Sequence, residues 1–593
     1  MYMSLLVIGI VGVMALIWAT RGFFSALLHL ACTLCAGAIA LALWEPLAYA
    51  LLSSQEPGML VDLAWGVCLI GPFVLALTLL SVACSALIRN NIKVGNMPGL
   101  IGGGVLGAAA GFITAGIVVL GVGMTRTQSD FFDYTPIDTD NQGSVIRSSG
   151  LWVPADRIVT SLYGFMSRGS LATSEPLARY YPHLADSGHM FRDGSKGDTL
   201  LKYTIRPKDV ALKGRYTVGL KERVSLPELV GDNKAVLDLD GNKVSGANYY
   251  IEGVAVQFKA GAKEKGGQVV VSPAHVQLVM ANSGGAEVFM PIAMISQAKG
   301  DSVAFGRWRF DAKDVLLGSV GSANDPIMLF EFVVPKYAAG DELQPVALYV
   351  KGVRLDLYNR DTEATLAPTK VLANAAERDA ALNDLAADFG RKDDVVPGPG
   401  EQWSGDKNAN SGEALVNRTN RLPDRIILSS DNVGELELNE GNFIMNGTCS
   451  LDAQKGLLPR GSDRKLIVDR FYPGEGTSIV LVDVTPGKDF AITAEPSADA
   501  KGAPALMDDL GQKHTCVGYV YRDEQLISIY FKPGDPITDK SKIRSMSRSR
   551  TDQKLWLVFR VPNGVKITRY VIGATGVKDF TTPMAIDGSG QAK

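Results

Sequence analysis

The chain has 593 residues, 59 of them basic and 62 acidic, with a formal net charge of -3. At about 150 residues per domain this length predicts roughly three to five domains, and the balanced charge excludes the basic excess of a nucleic-acid-binding protein. Hydrophobic residues make up 46% and charged ones 20%, which excludes a wholly disordered chain.

The charge is unevenly spread. Up to Thr125 the charged residues are Arg21, Glu45, Glu56, Asp62, Arg89 and Lys93. Between them run four apolar stretches, residues 5–19, 23–43, 63–88 and 100–124, predicted to cross a hydrocarbon core of about 30 Å. The first is no cleaved signal peptide by pattern, because Met1–Ser4 carries no Lys or Arg and Arg21 follows the apolar stretch. Arg21, Arg89 and Lys93 fall on one side of a four-span arrangement, and Glu45, Glu56 and Asp62 on the other. The positive-inside rule then places everything after Met124 outside the cytoplasm, with Arg126 weighing against it.

In the fourth stretch Gly99, Gly103, Gly107 and Gly111 recur every fourth residue and share one helix face. Such a face lets another backbone approach closely. It suits self-association into a homo-oligomer, a moving pore-lining helix, or packing against the first span, which offers Gly9 and Gly12. The polar groups of the spans, His29, Thr33 and the Cys32-x-x-Cys35 pair among them, read as packing groups in apolar helices.

The short first span, Arg21-Gly22-Phe23-Phe24 opening the second, and Lys93-Val94-Gly95-Asn96-Met97-Pro98-Gly99 introducing a glycine-rich fourth resemble the CvpA (colicin V production) family. Family members often carry a polar or charged pair just before the last span, where this chain has Asn96 and no acidic–basic pair, and the likeness covers about a fifth of its length. It implies a bacterial inner-membrane protein. Some relatives add an extracytoplasmic serine protease domain, so the resemblance makes a catalytic triad in the rest of the chain worth considering.

Residues 126–200 form an irregular connector containing one predicted helix, 155–167, opened by Pro154 and carrying Ile158, Leu162 and Phe165 on one face. From about Arg215 the periodicity changes from 3.6 to 2. Strand-like runs at 215–220, 249–258, 268–271, 275–280, 302–310, 328–334 and 346–357 predict a first sandwich-like β domain over 201–360. A helix at 367–389 and a linker around Pro397-Gly398-Pro399-Gly400 occupy 361–415. Runs at 425–428, 434–438, 465–468, 478–484, 517–521, 526–531, 554–561 and 566–572 predict a second β domain over 416–585, before a loose tail at 586–593. In each domain a strand ending at proline, Pro335 or Pro562, leads through a turn into a β-rich run, which fits either duplication or chance.

Chemistry-bearing motifs are sparse. There is no Gly-x-Ser-x-Gly, His-Glu-x-x-His or phosphate-binding Gly-Lys-Ser/Thr pattern. None of the five histidines has the context of a triad, and His183, Asp186 and His189 read as surface loop residues in preference to a metal set. No metal or cofactor is expected. Cys449 and Cys516 form either one disulfide or two buried thiols. Lys540, Lys542, Arg544, Arg548 and Arg550 alternate with other residues, so in an extended strand they would line one face. That face suits anionic lipid or a polyanionic polymer, or is an ordinary solvated edge.

These features predict a multi-domain membrane protein, a four-helix transmembrane module followed by two mainly-β domains. The function expected is an anchored structural or binding scaffold in the cell envelope, with membrane lipid and an envelope protein or polymer as partners. The other reading is a transport or export component whose glycine-rich spans form the pathway. An enzymatic role is the less favoured expectation.

Overall fold

The computed structural model describes residues 2–54, 59–88, 95–125, 131–139, 144–148, 150–169, 172–191, 204–246, 248–264, 269–297, 305–309, 317–318, 325–337, 341–382, 384–385, 389, 416–428, 435–453, 467–474, 476–486, 488, 490, 502–509, 512–547, 550–573 and 576–591. Its first four helices, α1 (Tyr2–Arg21), α2 (Phe23–Ser54), α3 (Met59–Leu87) and α4 (Asn96–Gly123), are each long and apolar enough to cross a membrane. The glycine row of α4 packs on α1. A Cβ at Gly103 would stand 2.6 Å from the Trp18 carbonyl, and one at Gly111 would stand 2.8 Å from Met14 Cβ. Higher numbers on α4 meet lower numbers on α1, so the two run antiparallel. Gly9 and Gly12 take no part, because nothing lies within 4 Å of a Cβ at either position.

At 32 residues α2 is about 48 Å long, well beyond a hydrocarbon core of about 30 Å. Its last turns and the start of α3 project past the end of α4. The projection is where the β region attaches. Between them lie a short hairpin, β1 (Ile137–Thr139) with β2 (Val145–Arg147), and helix α5 (Ala155–Ser167), whose span agrees with the expectation. The shared face of its apolar stripe points outward. Ile158, Leu162 and Phe165 are exposed, and Ala155, Val159 and Tyr163 are the residues packed inward.

The first β unit has two sheets. One has the order β12 (Lys370–Leu372), β3 (Val210–Val218), β4 (Tyr249–Phe258), β9 (Ile327–Pro335), β7 (Ala293–Gln297), β8 (Phe305–Arg309). The other has the order β11 (Val353–Asp356), β10 (Gln344–Val350), β5 (Val276–Ala281), β6 (Ala286–Phe289). All neighbours are antiparallel except β12 with β3. Val254, Phe258, Phe330 and Phe332 of the first sheet meet Leu278, Met280, Leu348 and Val350 of the second in one core, which makes the unit a sandwich.

Two expectations change here. The run at 346–357 is a hairpin, turned at Lys351 and Gly352, whose φ of 47° and 85° suit a two-residue loop with left-handed central residues. The segment after residue 360 also belongs to the first β unit. β12 joins its sheet, and helix α6 (Ala375–Ala380) is followed by Leu385 and Phe389, buried beside Tyr216 and Val218. The proposed Pro397–Gly400 linker lies outside the described residues.

The second β unit is a curled sheet. Its main path is β13 (Val416–Asn417), β18 (Thr477–Asp483), β22 (Lys554–Pro562), β20 (Lys513–Arg522), β19 (Pro504–Asp508), β23 (Lys566–Ile572), β24 (Gly576–Ala585). β15 (Glu437–Leu438), β16 (Ile444–Asp452) and β21 (Leu526–Phe531) branch from β20, and β14 (Arg421–Ile427) pairs with β17 (Ile467–Arg470). Alternate residues of β22 enter different cores, Leu557 and Phe559 on one face and Val558 on the other. The pairing order differs from that of the first unit, although both contain a strand ending at proline.

The same alternation separates the two cysteines. Cys516 sits with Phe559 and Tyr570 on one face, Cys449 with Ile529 and Phe531 on the other, and neither is in a disulfide. The disulfide reading is therefore corrected to two buried thiols. Burial pushes the Cys449 thiol up to about 11 and that of Cys516 up to about 12, so neither carries appreciable thiolate near neutrality.

Candidate functional site

A sheet with one face in its own core usually leaves the other to water. In β5 and β10 both faces are covered. Val279, Ala281, Ala347 and Tyr349, which alternate with the sandwich-core residues, pack into a cluster with Trp44 of α2, Trp65 of α3, Tyr180 and Tyr181. The rings make a connected set: Trp44 to Trp65 at 5.5 Å, Trp44 to Tyr181 at 5.0 Å, Tyr49 to Trp65 at 5.4 Å and Tyr181 to Tyr349 at 4.9 Å between centroids. Such arrangements contribute beyond the apolar area they bury.

At the centre stands Arg354 with three carboxylates. Arg354, on β11, donates from Nη1 to Glu45 Oε2 at 2.8 Å and to Glu175 Oε2 at 3.0 Å, and its Nε lies 2.9 Å from Asp356 Oδ1. The other Glu45 oxygen accepts from Tyr181 Oη at 2.6 Å, and the Arg354 backbone N–H donates to Tyr49 Oη at 2.8 Å. Tyr349 Oη donates to the Tyr180 carbonyl at 2.7 Å, and the Arg354 guanidinium lies over the Tyr180 ring at 4.8 Å. Glu45 is 7% exposed, so both of its oxygens are satisfied inside the protein. Burial by itself would lower the Arg354 guanidinium, but Glu45, Tyr181, Tyr349 and Asp356 together outweigh it and hold the side chain charged. Burial pushes Tyr181 and Tyr349 well above the usual phenol range, so both stay neutral donors. The cluster fastens a membrane helix to a sheet edge through charge, hydrogen bonds and stacked rings. A scan against protein-family models, a search of curated proteins and a search of solved structures found no match.

The residues singled out from sequence lie elsewhere. Gly99, Gly103, Gly107 and Gly111 are buried, the last three directly against α1. Arg21 closes α1 at the end of the bundle opposite the β region, over the Trp18 ring at 5.0 Å; Arg89 and Lys93 lie outside the described residues. Trp18 also stacks on His29 at 4.2 Å, a packing role for that histidine. Cys32 meets Cys84 of α3 at 3.4 Å, so its contact is between helices and not with Cys35.

The basic run is not a strand. Lys540–Lys542 is a turn of 3-10 helix and residues 543–547 are irregular, so among the described residues the run forms no extended strand with one charged face. Lys542 pairs with Asp535 at 3.7 Å, Arg550 with Asp552, and Arg544 lies over the Tyr521 ring at 4.8 Å; Arg548 lies outside the described residues. Asp186 is held by Arg147 at 2.9 Å and Arg157 at 3.4 Å. His514 bonds Asp508 at 2.9 Å with both side chains fully buried, out of reach of a substrate.

Sequence reading took Glu45 only as a charge between spans, whereas it lies inside α2 and is buried. The signal was present: a single carboxylate directly after Trp44, at the end of a long apolar stretch, where a charge is costly unless it has a partner.

Proposed function

We propose that the chain is an integral membrane protein of the bacterial cell envelope, an anchored scaffold whose β units bind an envelope protein or polymer. The observation that supports this most is the Glu45–Arg354 junction, which joins the membrane helices to the first sandwich through buried charge and aromatic packing. A rigid joint suits a protein that holds something at a fixed height above the bilayer. A transport pathway wants helices that separate, whereas α1 and α4 meet at backbone distance along the glycine row. On this reading the first 125 residues are a CvpA-like module, and the end bearing Arg21 faces the cytoplasm by the positive-inside rule.

The test uses the full chain in lipid vesicles, incubated with envelope extract. A component retained unchanged, with vesicles remaining tight to small solutes, is the expected result. A reaction product abolished by one polar substitution, or solute flux through the reconstituted protein, would overturn the scaffold reading.

A further inference from the structure

A water-facing helix turns its polar residues outward. α5 instead turns an apolar stripe outward, with Ser161 between its members. Its inward face carries Asp156, Thr160, Tyr163 and Ser167, each hydrogen-bonded within the protein: Tyr134 Oη donates to Asp156 Oδ2 at 2.6 Å, Thr160 Oγ1 to the Asp156 carbonyl at 2.9 Å, Tyr163 Oη to the Leu34 carbonyl at 3.1 Å, and Ser167 Oγ to the Gly164 carbonyl at 2.7 Å. Its outward stripe is Ile158, Leu162 and Phe165, continued by Trp152 and Val153 just before the helix; Trp152 is 62% and Phe165 79% exposed.

The position of α5 says what covers that stripe. It crosses the membrane helices at glycines. A Cβ at Gly116 of α4 would stand 2.6 Å from Val159 and 2.7 Å from the Ala155 carbonyl, and one at Gly37 of α2 would collide with the Tyr163 phenol. The backbone N–H of Trp152 reaches Ser4 of α1 at 3.2 Å. Gly116 stands seven residues before Gly123, the last of α4, which is about 10 Å along the axis at about 1.5 Å per residue. α5 therefore lies across the bundle inside the length of its spans, whose own outward surface is apolar, with Leu75 and Val105 exposed on it.

We propose that α5 is an in-plane membrane helix, seated at the boundary between headgroups and acyl chains with Trp152, Val153, Ile158, Leu162 and Phe165 in lipid. A depth of about 5–10 Å is usual for such helices. Tryptophan suits that boundary, and Arg168, exposed just past the helix end, has the reach to place its charge among headgroups.

The test places a nitroxide label at position 158, 162 or 165 of the full chain, in a background with its native cysteines replaced, reconstituted in phosphatidylcholine–phosphatidylglycerol vesicles. References are Leu75 on α3 and Glu524, exposed on the second β unit. The stripe positions should match Leu75, open to oxygen and shielded from a water-soluble nickel chelate. Nickel access equal to that at Glu524 would overturn the proposal. So would shielding from both reagents, which would mean that another protein surface covers the stripe. A second measurement leaves the cysteines alone. The emission lost in Trp152→Phe should be the part quenched by brominated lipid, and a Trp152 contribution insensitive to that lipid would also overturn the assignment.

Discussion

The two β regions solve the same burial problem in different ways. The second closes on itself, since both of its cores draw only on residues from Val416 to Ile586. The first does not. Its larger sheet is covered by its own segments around Leu229 and Phe389, but the outer face of β5 and β10 is completed by α2, α3 and the connector. A sheet that depends on another element for one face is not a free-standing domain, however convincing its strand pattern.

Separating the two should expose the difference most strongly. A fragment of residues 416–593 should be monomeric and unfold cooperatively by circular dichroism. A fragment of residues 204–389 should bind a hydrophobic dye and self-associate on size-exclusion chromatography, because its junction face is bare and Arg354 has lost Glu45. Equal behaviour of the two fragments would erase the distinction.

Within the first unit, Glu331 is fully buried, with Arg307 Nε at 2.6 Å, Arg378 Nη1 at 3.4 Å and Tyr216 Oη at 2.9 Å. Glu331→Gln leaves two buried guanidiniums short of a partner and should cost about 3–5 kcal/mol, read as a lower thermal midpoint for the first unit alone. Burial acts to raise the Glu331 carboxyl, but Arg307 and Arg378 prevail and hold it below its ordinary value. A depressed folded-state pKa stabilises above the unfolded value of roughly 4.3 and loses that contribution as pH falls through the folded value. The gap between parent and variant should therefore narrow on acidification, which pH-dependent denaturant melts would show.

At the junction, Arg354→Met removes the charge-assisted bond to Glu45 and should cost about 1.5–3 kcal/mol. Protease cleavage between the membrane module and the β region should speed up while the second unit is unaffected. In the bundle, Gly107→Leu must push apart Trp18 Cβ and the Met14 carbonyl, 2.6 Å and 2.8 Å from the new Cβ. Overpacking of this kind costs about 1–3 kcal/mol, visible as a lower melting temperature in detergent. The smallest expected effect is on Cys449 and Cys516: reducing agent should leave the melting of the second unit unchanged. A reducible shift would mean that the two faces of the sheet communicate in a way the strand alternation forbids.

Sequence patterns revealed what local chemistry controls. β4 falls where alternating and β-branched residues put it, and α5 begins after Pro154. Strand β16 escaped because Asn446, Gly447, Thr448 and Ser450 dilute its apolar alternation. The hairpin at Lys351-Gly352 escaped because apolar residues on both sides ran together into one strand. The outward turn of Ile158, Leu162 and Phe165 was hidden for a different reason. Periodicity tells that a stripe exists, and only the neighbours decide whether it meets protein or lipid. The pairing of Glu45 with Arg354, 309 residues apart, is of the same kind.

The shared face of β5 and β10 also bears on synthesis. Chains emerge and fold from the N-terminus onward, so α1–α4 stand ready in the bilayer before Tyr349 and Arg354 leave the ribosome. The later strands then meet a finished template, and the interval during which their apolar outer face is open to wrong partners is short. A circular permutant that delivers the helices last would reverse that schedule while keeping every native contact, and its yield of correctly inserted protein should fall although its final stability need not.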